Sequence, residues 1–138
     1  MISFNDLKLF SKDKVRTISS KNLNWKDYKL KKTFVERLNE SQIILKRYPD
    51  KIPLIINECS EELRDRLTRK MLLQPNMTVG QYMHTLRIKF NIKPEESVFI
   101  FVNGIFPTST SIMSYLYYKH KDKDGFLYIS LLKENVFG

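Results

Sequence analysis

Apolar positions along the chain follow two kinds of pattern. The first recurs every three to four residues. Val79, Tyr82, Met83, Leu86 and Phe90 stand at i, i+3, i+4, i+7 and i+11, the spacing of one helix face. Thr78 and Gln81 open that run with the form of a capping box. Thr33 and Glu36 form a second box, followed by a stripe of Phe34, Leu38, Ile44 and Leu45. Pro49 ends this helix by disfavouring helical geometry at Tyr48. Shorter helices are predicted over 25–32 and 111–118, the latter with Met113, Leu116 and Tyr117 inward.

The second pattern is a short, dense apolar run rich in β-formers. Such runs occupy 52–57, 70–74, 98–102 and 126–132. Pro53 stands near the start of the first, where a strand tolerates it. Ser60, Glu61 and Glu62 begin a short connection through Leu67. Asn103-Gly104 and Asp124-Gly125 are turn dipeptides. The run 98–102 is apolar throughout, as expected of a central strand covered on both faces. The order is helix, helix, β, β, α, β, α, β. This is the β-grasp order of ubiquitin, with the first and last strands as the parallel central pair. The expected fold class is α+β, a ubiquitin-like β-grasp with two additional N-terminal helices.

Composition narrows the picture. Apolar residues make up 42% of 138 residues, enough for one core. No apolar run reaches membrane-spanning length, and 2–10 is too broken for a signal peptide. Cys59 is the single cysteine, which excludes a disulfide framework and a cysteine zinc site. Two histidines, His84 and His120, make no metal set, and no cofactor is implied. Beside Cys59 they suggest a thiol hydrolase, but no nucleophile elbow, oxyanion loop or orienting group accompanies them. The net charge of +9 is uneven. Residues 1–53 hold 13 Lys/Arg against 6 Asp/Glu, and the rest hold 11 against 9. The domain reading is a basic, mobile arm over 1–24, a helical subdomain over 25–50, and the β-grasp domain with its tail over 51–138. A basic nucleic-acid-binding protein fits poorly, since no run of base-stacking aromatics lies among the basic residues.

The motifs resemble an ordered set. Residues 46–53 (KRYPDKIP), 69–73 (RKMLL), 78–81 (TVGQ), 99–103 (FIFVN), Leu116-Tyr117, 124–128 (DGFLY) and Phe137-Gly138 are similar to the autophagy ubiquitin-like modifiers. That family includes the GABA-receptor-associated and microtubule-associated light chain proteins. The resemblance runs from Trp25 to Gly138. It implies a non-enzyme that is cytoplasmic, and on the autophagosome membrane once lipidated. A cysteine protease would expose Gly138, and E1-like and E2-like enzymes would activate and carry it. The amine of phosphatidylethanolamine would then accept the acyl group. A glycine on a stalk suits this role, having no Cβ to obstruct a narrow channel. The rival readings are conjugation to a protein lysine and a peptide-binding module that is never conjugated.

The resemblance also implies a groove for receptor peptides of aromatic-x-x-aliphatic form, which add a strand to the edge of the second strand. By matched position the aromatic pocket comprises Ile44, Pro53, Leu72 and Phe126, with Glu40 and Lys70 at its rim. The aliphatic pocket comprises Met71, Leu73, Met77, Tyr82, Leu86 and Lys89. Lys51, Lys70 and Lys89 would meet acidic residues flanking the peptide. The chain departs from the family at Thr85, which makes the aliphatic pocket shallower, and at Thr108, which replaces a proline. The connection before Lys70 is about one residue short. The first 24 residues have no counterpart in compact members. Within them Phe4-Asn5-Asp6-Leu7 itself has the aromatic-x-x-aliphatic form, so the arm is a candidate occupant of its own groove. Its basic residues, with those of the first helices (8–32), are candidates to touch anionic membrane.

Overall fold

The computed structural model describes residues 27–133 and the backbone of residues 2–3. Among the described residues one sheet runs in the order β1-β3-β2-β5-β4. Its strands are β1 Ile2–Ser3, β2 Ile52–Cys59, β3 Lys70–Leu73, β4 Val98–Phe101 and β5 Leu127–Lys133. Five helices accompany it: α1 Tyr28–Lys31, α2 Phe34–Arg47, α3 Glu61–Arg64, α4 Val79–Lys89 and α5 Met113–His120. The expected β-grasp order is present, with β1 added at the edge of β3. As expected, β2 and β5 are the parallel central pair, in register from Leu54↔Leu127 to Cys59↔Leu131 with a shift between Ile56 and Glu58.

Both capping boxes form. Glu36 N donates to Thr33 Oγ1 at 3.2 Å and Thr33 N to Glu36 Oε1 at 2.8 Å. Gln81 N donates to Thr78 Oγ1 at 3.1 Å and Thr78 N to Gln81 Oε1 at 2.9 Å. Each satisfies donors that a helix start would otherwise leave unpaired, an effect of about 1 kcal/mol. The turn at Asn103-Gly104 takes positive φ at both residues, 51° and 78°, as a tight hairpin turn requires.

Strand alternation divides the core in two. On one face of the sheet, Leu54, Met71, Leu73, Ile129 and Leu131 pack with Tyr82 and Leu86 of α4. On the other, Ile55 and Leu72 pack with Tyr28, Ile44 and Phe126. α5 buries Met113 and Leu116, and the Tyr117 hydroxyl donates to Gly125 O at 2.7 Å.

Two expectations are corrected. β4 is not a central strand: it pairs with β5 and closes one edge of the sheet. Val98 and Ile100 are buried, Phe99 is exposed and Phe101 half-buried. Phe106 from the following loop covers the outer pair, with ring centroids 5.8 Å and 4.2 Å away. Aromatic residues on an outer face therefore made an alternating strand read as continuously apolar. The buried face of α2 is also different. Phe34 is exposed and Leu38 and Leu45 half-buried, whereas Arg37, Ser41 and Ile44 point inward. Two of these are polar, and burial is tolerable because both are paired. Arg37 Nη1 donates to Asp124 Oδ2 at 2.6 Å, and the Ser41 hydroxyl donates to Asp124 O.

Candidate functional site

β3 is the strand around which the predicted groove residues gather. Its four residues alternate between the two cores: Leu72 faces Ile44 and Phe126, whereas Met71 and Leu73 face Tyr82 and Leu86. The hairpin register sets Pro53 opposite Leu72 and Leu54 opposite Met71. Ile56 N donates to Arg69 O at 2.9 Å, so the even-numbered residues of this part of β2 bond toward β3. Pro53 faces the other way, one residue before the β5 ladder begins at Leu54, so its missing N–H removes no ladder bond. By the same alternation the N–H and C=O of Leu72 point away from β2, toward the outer edge of β3.

Ile44, Pro53, Leu72 and Phe126 are brought together, and all four are buried. Glu40, one helical turn before Ile44, reaches the top of this cluster. Lys70 Nζ donates to Glu40 Oε2 at 2.8 Å, so the two rim residues form an ion pair. Met71, Leu73, Tyr82 and Leu86 are likewise buried together, with half-buried Met77 against them. The open space beside them is a shallow groove of about 550 Å³ lined by Gln74, Asn76, Met77, Gly80, Gln81, His84 and Thr85. Lys89 is exposed beside Phe90, and Lys51 is half-buried at the start of β2.

Tyr28 fills the space between the aromatic-pocket residues, a role that the sequence did not indicate. It is buried, with its ring edge-on to Phe126 at 6.4 Å. Its hydroxyl donates to Glu40 Oε1 at 2.7 Å, and Lys70 Nζ lies 4.9 Å from its ring centroid. Burial, with the Glu40 carboxylate, pushes the phenol pKa well above its ordinary value, so Tyr28 remains a donor. α1 presents this ring because Asp27 caps it at Lys29 N and Asn57 Oδ1 accepts from Tyr28 N at 2.9 Å. The short helix predicted over 25–32 has too few residues to show a period, so no buried face could be read from it.

β1 is the second addition. Ile2 pairs with Leu72 and Ser3 with Met71, antiparallel to β3. The expected occupant, Phe4–Leu7, lies outside the described residues, as do Gly138 and the rest of the basic stretch through Lys26. Of the basic residues that follow, Lys29 pairs with Asp122 at 2.5 Å and Lys32 with Glu40 at 3.8 Å.

The far end of β5 is anchored before the tail. Lys133 N donates to Ser60 Oγ at 2.7 Å, and Lys133 Nζ lies 3.5 Å from Glu96 Oε1. Glu96 also accepts from Arg66 at 3.0 Å. Cys59, at the end of β2, is buried, and burial pushes its thiol up to about 12. That is opposite to what a nucleophilic thiol needs.

A β-grasp sheet with two helices before its first long strand, and with its last strand in the centre, defines a ubiquitin-like protein. Comparison with known proteins makes this specific. The model of the family described as "Autophagy protein Atg8 ubiquitin like" matches residues 36–138, and the chain belongs to that family. It is 38% identical over 112 residues to autophagy-related protein 8 of Mycosarcoma maydis, covering 80% of this chain and 95% of that one. It is 41% identical over 104 residues to autophagy-related protein 8d of Arabidopsis thaliana, covering 75% and 87%. Among solved structures, Trypanosoma brucei ATG8 superposes with a TM-score of 0.66 at 30% identity, covering 80% and 97%. Plasmodium falciparum Atg8 in complex with a Plasmodium falciparum Atg3 peptide gives 0.62 at 30% identity, covering 75% and 92%.

Proposed function

We propose that this protein is an autophagy modifier that is joined through Gly138 to phosphatidylethanolamine and recruits receptors through a peptide groove. The observation that carries the reading is that the family match extends to Gly138 itself, the residue following Phe137. The chain contributes no catalytic group. E1-like and E2-like enzymes supply activation and transfer, and a cysteine protease supplies processing and release. The Plasmodium relative bound to an Atg3 peptide supports a partner of this kind. A lipid with two acyl chains would then hold the domain on the autophagosome membrane, which one chain does only marginally. Among the described residues no helix is long and apolar enough to cross a membrane.

In this reading 1–24 are an arm, 25–50 the helical subdomain and 51–138 the modifier. The outward backbone groups of Leu72 take a strand from a receptor peptide, Ile44, Pro53 and Phe126 take its aromatic residue, and Met77 borders its aliphatic one. Incubation with the family's E1-like and E2-like enzymes, ATP and phosphatidylethanolamine liposomes tests the conjugation. A lipid adduct is expected for the wild-type chain and not for Gly138→Ala. Absence of any Gly138-dependent adduct would overturn it.

A further inference from the structure

We infer that the receptor groove is held closed by this chain's own N-terminal residues, which a peptide must displace to bind. The inference rests on the peptide-groove reading above. Two separate observations carry it. First, the outer edge of β3 is taken: Ile2 pairs with Leu72 and Ser3 with Met71. A strand has two edges, and β2 holds the other. An added peptide strand would need the same Leu72 N–H and C=O that β1 faces, so the two are mutually exclusive.

Second, the aromatic pocket is taken by Tyr28. Ile44, Leu72 and Phe126 are at most 1% exposed, leaving no room for a second ring. Tyr28 meets the needs of an aromatic ligand group: edge-on contact with Phe126 and a hydroxyl partner in Glu40. The cation that an acidic peptide would meet is engaged as well, with Lys70 bonded to Glu40 and lying over the Tyr28 ring.

Both occupants are built to be removable. β1 is two residues long, and a two-residue ladder is weak. α1 has four residues, too few to be a stable helix without its contacts. Neither supplies a residue to the β2–β3 ladder or to α4. The apparent affinity for a peptide is then reduced by the fraction of molecules whose groove is open. Because the occupant belongs to the same chain, the reduction does not depend on protein concentration.

The test uses full-length chains: wild type, an Ile2→Pro/Ser3→Pro variant that cannot donate to β3, and Tyr28→Ala. The probe is a synthetic Trp-Ala-Ala-Leu peptide flanked by aspartates, titrated by calorimetry. Hydrogen exchange at the Leu72 amide is measured in parallel. The expected result is binding about 3- to 10-fold tighter in the proline variant and in Tyr28→Ala, with faster Leu72 exchange in the proline variant. Wild-type affinity in both variants overturns the inference. If no chain binds the probe, the peptide-groove reading fails instead. Exchange then decides alone: faster Leu72 exchange in the proline variant supports occupancy of the edge, and unchanged exchange overturns it.

Discussion

Arg37 and Asp124, 87 positions apart, form a buried ion pair with Nη1 and Oδ2 2.6 Å apart. The pair joins α2 to the turn entering β5. Asp124 Oδ1 accepts from Phe126 N at 2.9 Å, and Oδ2 also accepts from the Tyr128 hydroxyl. One carboxylate therefore fixes both the helix and Phe126, which lies in the same buried cluster as Ile44 and Leu72. Removing a single partner leaves the other charge buried alone, which costs about 3–5 kcal/mol. Arg37→Ala should lower the urea midpoint by a corresponding amount. A loss below about 1 kcal/mol would assign the pair no role in holding α2.

Gly125 and Gly104 make a contrasting pair. Both have positive φ, +95° and +78°, but only Gly125 faces a neighbour: an added Cβ would overlap the Ser41 hydroxyl and lie 3.0 Å from Ser41 Cβ. Gly104 has nothing within 4 Å. Gly104→Ala should cost only the backbone strain, about 1–2 kcal/mol. Gly125→Ala should cost more and shift α2 away from the turn. Adding Ser41→Ala to Gly125→Ala should recover part of the difference, which thermal melts of the three variants beside the wild type would measure.

Glu96 sets an acid dependence. The hydrogen bonds from Arg66 and from Lys93 N hold its carboxyl pKa down at about 2, against an ordinary 4.5. The folded pKa is depressed, so the unfolded chain binds the proton more readily in that interval. The Glu96 contribution is therefore complete above about pH 4.5 and is lost as pH falls from there through about 2. Carboxyl titration by NMR should give a Glu96 midpoint near 2 in the wild type, and a higher one in Arg66→Gln. An ordinary midpoint in the wild type would remove the effect.

Cys59 should be inert in the folded protein. A buried thiol raised to about 12 is neither exposed nor ionised at neutral pH, and the thiolate is the reactive form. Treatment with a chromogenic disulfide reagent at pH 8 should give no native reaction and one equivalent after unfolding. Rapid native labelling would contradict its placement.

The parts of the fold legible in the sequence were those with a period. The Tyr82/Leu86 stripe of α4 and its capping box announced themselves, as did the runs that become β2, β3 and β5. The α2 face did not, because Arg37 and Ser41 are buried through partners 87 and 83 residues away, which local pattern cannot reveal. β4 misled because Phe99 and Phe101 are covered by Phe106 rather than by a helix. At the candidate site, matched motifs gathered the lining residues on both sides of β3. They could not reveal Tyr28 or Ile2–Ser3, which have no counterpart in the motif set and too few residues to show a period.

The central position of β5 has a mechanical consequence. It is laced along its length to β2 on one side and β4 on the other. A load applied beyond Lys133 acts along the strand, so both ladders resist in shear and many hydrogen bonds share it at once. β1, by contrast, holds β3 through two paired residues, and a pull there parts them almost singly. The same sheet is thus stiff toward a pull on the end of β5 and yielding at the outer edge of β3.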